Sequence, residues 1–81
     1  MMTLVEAPYD KKLKIVEIVG GHGIRRRLLA LGFHKDNIVV LDSRSILGGP
    51  VIVRQLASDT SIALGQGVAR KIMVEIIDEK K

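Results

Sequence analysis

The sequence has no cysteine and no tryptophan, and its only aromatic residues are Tyr9 and Phe33. Without cysteine, the chain forms no disulfide and no thiolate-ligated metal site, two common ways of stabilising a domain of 81 residues. Stability must therefore come from aliphatic packing, with or without association. Two aromatic residues also provide no platform on which successive bases could stack, which argues against the usual ways in which small β-barrels bind RNA or single strands.

Long apolar runs are also absent. Stretches such as residues 38–41 are far shorter than the ~20 apolar residues that cross a bilayer. Residues 1–12 lack the basic start and apolar centre of a signal peptide. We therefore expect a soluble, cytoplasmic protein, and the lack of cysteine agrees with a reducing compartment.

Catalytic patterns are missing as well. The serines carry no nucleophile-elbow motif, and the acidic residues are scattered singly rather than paired for acid and base work. We therefore expect no enzymatic activity.

The remaining pattern is mostly β. Alternating or continuous apolar stretches bounded by turn residues predict five strands, at residues 12–19, 38–42, 51–56, 60–64 and 72–77. Residues 65–70 are predicted as a turn or a single helical turn. Strands this short favour an antiparallel sheet. Closing it into a small barrel would remove edges that invite aggregation, so we predict a barrel.

One helix is predicted at residues 23–31. Ile24, Leu28 and Leu31 recur at the spacing of one helical face, and Gly32 follows as a C-cap. This helix carries Arg25, Arg26 and Arg27. Because consecutive helical residues are ~100° apart, these three side chains cannot all face one surface.

The chain is predicted to be a single domain, residues 1–81, with its core at residues 3–77 and a charged tail at residues 78–81. No internal repeat or long linker divides it. The formal net charge of +4 favours an acidic partner surface without identifying one.

Two histidines raise the question of a metal site. His22 and His34 are separated by the predicted helix and lack a nearby carboxylate motif, so solvated turn histidines are the expectation. A weak surface site formed by His34 and Asp36 is the alternative.

Residues 16–33, with the order Gly-Gly, Arg-Arg-Leu and Leu-Gly, resemble the signature of the ferrous iron transport protein A (FeoA) family. Residues 3–8, 45–51 and 62–74 agree with it. The resemblance implies an SH3-like β-barrel with a helix. It also implies an accessory role in bacterial ferrous iron uptake, through a cytosolic encounter with the large permease FeoB, whose cytosolic part is a GTPase. Residues 34–37 stand where the family usually has Pro-Gly, and residues 65–67 stand where it commonly has bulkier, more basic residues. These two departures affect the expected binding surface and leave the predicted fold unchanged.

The leading hypothesis is a non-enzymatic protein that docks on the cytosolic part of the permease and modulates it, with no cofactor required. The predicted contact residues lie on the helix and in the loop between the strands predicted at residues 38–42 and 51–56. They are Arg25, Arg26, Arg27, Ile46, Leu47, Gly48 and Gly49. The loop either exposes an apolar anchor or folds back as a lid, and self-association is a further partnership left open.

Two alternatives are kept. The first is a module that binds Fe(II) or another divalent transition metal weakly, through His22, His34 and Asp36. The second is a small nucleic-acid-binding barrel, whose affinity would fall steeply with salt because binding releases counterions.

Overall fold

The computed structural model describes residues 1–44 and 47–77, which form six strands and two short helices. In chain order the elements are β1 (Met2–Thr3), β2 (Leu13–Ile18), α1 (His22–Ala30), β3 (Ile38–Arg44), β4 (Val51–Gln55), β5 (Thr60–Leu64), α2 (Gln66–Ala69) and β6 (Ile72–Ile76). The strands form one sheet in the order β1-β6-β2-β3-β4-β5, and every neighbouring pair is antiparallel.

The five strands predicted from the sequence are all confirmed, with bounds that differ from the predicted ones by at most two residues. The helical turn predicted at residues 65–70 is also present, as α2. The sixth strand, β1, was missed because two residues are too short to show an alternating pattern.

The predicted closure of the sheet into a barrel is wrong. Strands β1 and β5 lie at opposite edges, and no ladder joins them within the described residues. β1 is only two residues long and pairs with β6 alone, so it offers little strand for closure. The register shifts between Ile15 and Glu17 in β2, and between Leu41 and Ser43 in β3. Such bulges bend a sheet.

The core is aliphatic, as the composition predicts. Phe33 is its one aromatic member, and the other fully buried large side chains are Leu4, Leu13, Ile15, Leu28, Val39, Leu41, Val51, Val53, Ile72 and Val74. Leu28 places α1 against this core. In the described part of the chain, no buried side-chain nitrogen or oxygen atom lacks a hydrogen-bond partner.

Helix α1 ends in a Schellman turn. The backbone N–H of Phe33 donates to the carbonyl of Leu28 at 2.8 Å, and that of Gly32 donates to Leu29 at 2.9 Å. Gly32 has φ +91°, the left-handed conformation that favours glycine. The predicted glycine C-cap is therefore confirmed, and Leu28 and Phe33 supply the buried apolar contact that accompanies this motif.

Gln55 joins the carboxyl end of α1 to the sheet. This residue is the buried polar side chain of β4, and its Nε2 donates to the carbonyl of Leu31 at 3.2 Å. The side-chain amide thereby satisfies one of the carbonyls that a helix end leaves without a backbone partner. The carboxyl end of α1 is thus fixed by a turn, a core contact and a side-chain hydrogen bond.

Neither helix in the described residues is long and apolar enough to cross a bilayer, since α1 has nine residues and α2 has four.

Candidate functional site

Helix α1 forms one wall of a wide surface groove, which we call the β2 groove. It has a volume of about 580 Å³ and is lined by Val16, Glu17 and Ile18 of β2, Arg25 and Leu29 of α1, and Phe33 and Lys35. The lining combines aliphatic carbon with two cations and one carboxylate. Such a mixture suits a protein surface better than a small apolar molecule.

The opposite side of α1 forms a smaller groove, which we call the β5 groove. Its volume is about 160 Å³, and its lining is Ile24, Arg27, Leu28, Leu31, Ala63, Leu64, Gly65 and Val68. Among the described residues that line it, Arg27 alone is charged. The β5 groove is therefore an apolar pocket with one cationic side.

The three consecutive arginines of α1 diverge, as the helical spacing predicts. Arg25 lines the β2 groove, Arg27 lines the β5 groove, and Arg26 lines neither. Within residues 1–44 and 47–77, none of the three guanidinium groups makes an ion pair or a side-chain hydrogen bond. All three cations are therefore available to a partner, on different sides of the helix.

A fourth arginine is already paired. Arg54 of β4 donates from Nε and Nη2 to the two carboxylate oxygens of Asp42 in β3, each at 3.3 Å. The hydrogen bond and the negative charge of Asp42 raise the pKa of Arg54 above its usual value. This pair joins two strands and leaves Arg54 less available than the α1 arginines.

Exposed leucines accompany the arginines on α1. Leu29 is 60% exposed and Leu31 46% exposed, so the helix presents apolar surface beside each groove. The helical spacing placed Leu31 on one face with Ile24 and Leu28, and Leu29 was not among the predicted contact residues. Their exposure depends on how far α1 stands above the sheet, which helical periodicity alone does not specify.

The loop between β3 and β4 presents Leu47 to solvent, with 90% of the residue exposed. Gly48 follows with φ +81°, and Gly49 is half-buried. Of the two predicted conformations, Leu47 shows the exposed one and is not part of a lid over the core. Ile46, the other predicted anchor, lies outside the described residues.

The predicted metal ligands do not form a cluster. His22 is the first residue of α1 and His34 follows its carboxyl end, so the two imidazoles lie at opposite ends of the helix. His34 and Asp36 share one turn, in which the N–H of His34 donates to Oδ1 of Asn37 at 2.7 Å. Asp36 lies 3.9 Å from the ammonium of Lys14, a cation that opposes metal binding there. Among the described residues, no three His, Asp or Glu side chains are grouped to hold a metal ion.

Strand β5 lies at the edge of the sheet, a position that the predicted barrel closure did not allow. The residues of β5 are mostly exposed, with Leu64 buried and Ile62 half-buried. The β5 edge borders the β5 groove, since Ala63 and Leu64 of β5 line that groove. The sequence carried no signal of this edge, because residues 60–64 contain neither the charged residues nor the proline that commonly protect an edge strand.

Comparison with known proteins gives one family. The profile of the FeoA domain matches residues 2–76. A search among curated proteins found no match.

Solved structures with the same fold include proteins of that family. A crystal structure of an iron uptake regulatory protein (FeoA) superposes with a TM-score of 0.80 and 28% identity, covering 94% of this chain and 96% of that one. FeoA of Stenotrophomonas maltophilia in complex with zinc is described as a prokaryotic SH3 domain protein. It superposes with a TM-score of 0.74 and 28% identity, covering 93% of this chain and 91% of that one. A FeoA-like protein of Clostridium acetobutylicum superposes with a TM-score of 0.81 and 24% identity, covering 99% of this chain and 91% of that one, and shows that the two share a fold.

Proposed function

Because the chain belongs to the FeoA domain family, we propose that it is a non-enzymatic accessory protein of bacterial ferrous iron uptake that docks on the cytosolic part of a FeoB-type permease. The family itself is linked to ferrous iron transport. Docking on the permease, cytoplasmic location and modulation without catalysis are the steps that we add.

The outer surface of α1 is the observation that supports docking most strongly. Three guanidinium groups that form no ion pair with any described residue stand beside two exposed leucines, and a groove lies on each side of the helix. Interfaces are enriched in arginine, and their energy is concentrated in a few anchors surrounded by a polar rim. A helix with this surface fits an acidic protein face.

Modulation of the permease follows from docking by differential affinity. A GTPase domain alternates between conformations, and a bound protein shifts their populations only by as much as it prefers one of them. A chain with no catalytic group can therefore change the nucleotide cycle. The size of the effect is limited by that preference.

The test is an NMR titration of the isotope-labelled chain with the purified cytosolic GTPase domain of the permease. We expect chemical-shift changes on α1 and at residues 47–50. Arg26→Glu and Leu47→Ala test the two surfaces separately, because one substitution reverses a helix charge and the other removes the loop's exposed side chain.

Matched controls are available on other surfaces. Lys11→Glu makes the same charge reversal at an exposed position outside α1, and Ile76→Ala removes a half-exposed aliphatic side chain from β6. We expect both controls to leave the affinity within about twofold of the original. Equal losses in controls and test variants, or no shift on α1 and the loop, would contradict the proposed docking.

Metal binding remains the principal alternative, through His22 or through His34 with Asp36. Repeating the NMR experiment with Fe(II) under anaerobic conditions separates it from docking. Shifts confined to these residues, with none from the GTPase domain, would favour a metal-binding module. Binding to DNA or RNA that weakens with salt would favour the nucleic-acid alternative.

A further inference from the structure

Strand β5 leaves one long edge of the sheet open. Its five residues, Thr60–Leu64, contain no charged side chain and no proline, which are the usual protections of an edge strand. It pairs with β4 on one side, and within the described residues its other side has no backbone hydrogen-bond partner. The opposite edge, β1, is limited to two residues. The β5 edge is therefore the place where the sheet can accept another strand.

The register of β5 decides what such a strand would contact. Leu64 and Ile62 pair with Val51 and Val53, and all four side chains face the core side of the sheet. Side chains of an added strand would alternate in the same way. Those on the core side would lie beside Ile62 and Leu64, next to α1.

The β5 groove lies on that side. Its volume of about 160 Å³ is close to the ~150 Å³ of an engineered lysozyme cavity that binds benzene, so it matches one aliphatic or aromatic side chain. Ile24, Leu31 and Val68 give it apolar walls. Arg27 lines it too, without an ion pair in the described part of the chain. An occupant with an apolar side chain and a nearby carboxylate would satisfy both features.

We propose that the β5 edge and the β5 groove together bind an extended segment of a partner protein that alternates aliphatic and acidic residues and joins the sheet as an additional strand. Backbone hydrogen bonds to β5 provide the common part of the affinity, while the groove and Arg27 select the sequence. The net charge of +4 favours an acidic partner over a second, equally positive copy of this chain. The inference rests on the proposed function only for the partner's identity, a cytosolic segment of the permease.

The first probe is a synthetic eight-residue peptide of alternating valine and glutamate, titrated into the labelled full chain. We expect chemical-shift changes on residues 60–65 and on Ile24, Arg27 and Leu31. Two further peptides carry backbone N-methyl groups on alternate residues, one on the valines and one on the glutamates. Strand addition uses only one of these two sets of N–H groups, so one methylated peptide should lose binding and the other should keep it.

Arg27→Glu tests the selective part of the site, and Lys11→Glu is its control, a charge reversal at an exposed position outside α1. We expect the first to weaken peptide binding about tenfold, because a charge-assisted contact is replaced by repulsion. The second should change it less than about threefold, because Lys11 lines neither groove. Amide spectra of both variants establish that they fold.

Several results would overturn the proposal. Equal binding by both methylated peptides would exclude strand pairing, and shifts confined to the β2 groove would place the peptide elsewhere. Sedimentation that shows self-association through β5 would make a second copy the occupant. Binding of the permease domain without binding of the peptide would reject this site and leave the proposed function intact. Peptide binding at β5 without any response to the permease domain would support the site and reject the permease as the partner.

Discussion

At the scale of single residues, Gly32 combines two constraints at the end of α1. Its φ of +91° disfavours any residue with a side chain, and a Cβ there would lie 3.1 Å from Oε1 of Gln55 and 3.2 Å from Nε2. The same amide donates to the carbonyl of Leu31. A side chain at this position therefore strains the backbone and presses on the hydrogen bond that fixes the helix.

We expect Gly32→Ala to lower the free energy of unfolding by about 2 kcal/mol, measured by urea denaturation. The matched control is Gly23→Ala, inside α1, where an added Cβ meets nothing within 4 Å. That substitution should raise the free energy of unfolding by about 0.5–1 kcal/mol, because alanine favours a helix over glycine. Loss of stability in both variants would show that the turn at Gly32 is not the cause.

Leu28 and Leu29 are neighbours in sequence with opposite surroundings. Leu28 is 1% exposed and Leu29 is 60% exposed. We expect Leu28→Ala to cost about 3 kcal/mol in urea denaturation, because it leaves a cavity in the core. Leu29→Ala should cost less than about 0.5 kcal/mol and instead weaken binding to the permease domain. A large stability loss for Leu29→Ala would contradict its assignment to the docking surface.

At the scale of elements, α1 is stabilised unequally at its two ends. Gly21 is the N-cap, with extended backbone angles, and no side chain bonds to the first N–H groups. The first turn also lacks an acidic residue. The amino end of the helix therefore misses two interactions that commonly stabilise a helix start.

We expect Gly21→Asp to raise the free energy of unfolding by about 0.5 kcal/mol. The aspartate would accept hydrogen bonds from the first N–H groups of the helix, and its negative charge would be attracted to the positive end of the helix dipole. The backbone of Gly21 suits this change, since φ is −82° and an added Cβ meets nothing within 4 Å. Gly21→Ala is the control that changes backbone freedom without adding a cap. If thermal unfolding shows Gly21→Asp no more stable than Gly21→Ala, the cap does not form.

The elements themselves were predictable where periodicity is strong. The alternation of Leu13 and Ile15 with Lys14 in β2 and the spacing of Ile24 and Leu28 in α1 reflect local burial, which is visible in the sequence. Strand order, the bulges and the open edge depend instead on which strands meet in space. The two grooves depend on the height of α1 above the sheet. The arginines were therefore identified from the sequence, whereas the edge at β5 required the structure.

At the scale of the whole molecule, one apolar cluster receives side chains from both ends of the chain. Leu4 and Val74 belong to it, as do Leu28 of α1, Val53 of β4 and Ala69 of α2. No element has a separate core in the described residues. The predicted single domain should therefore unfold in one cooperative step.

We expect urea unfolding followed by far-UV circular dichroism to coincide with unfolding followed by the NMR signals of Phe33. The first signal reports backbone structure, and the second reports the packing of a fully buried side chain. Two separated transitions would contradict a single cooperative domain. Repeating the experiment at two protein concentrations checks for a contribution from self-association, because association makes the midpoint depend on concentration.

The position of α1 between the two grooves links binding at one groove to binding at the other. The helix is one wall of both the β2 groove and the β5 groove. Gly32, Phe33 and Gln55 fix its carboxyl end, whereas no side chain caps its amino end. A sideways movement of its amino end that widens one groove narrows the other. Ligands that each require a wider groove would therefore weaken one another's binding by the same factor, as thermodynamic linkage requires. Through this shared wall, a domain of 81 residues can make two binding events mutually antagonistic.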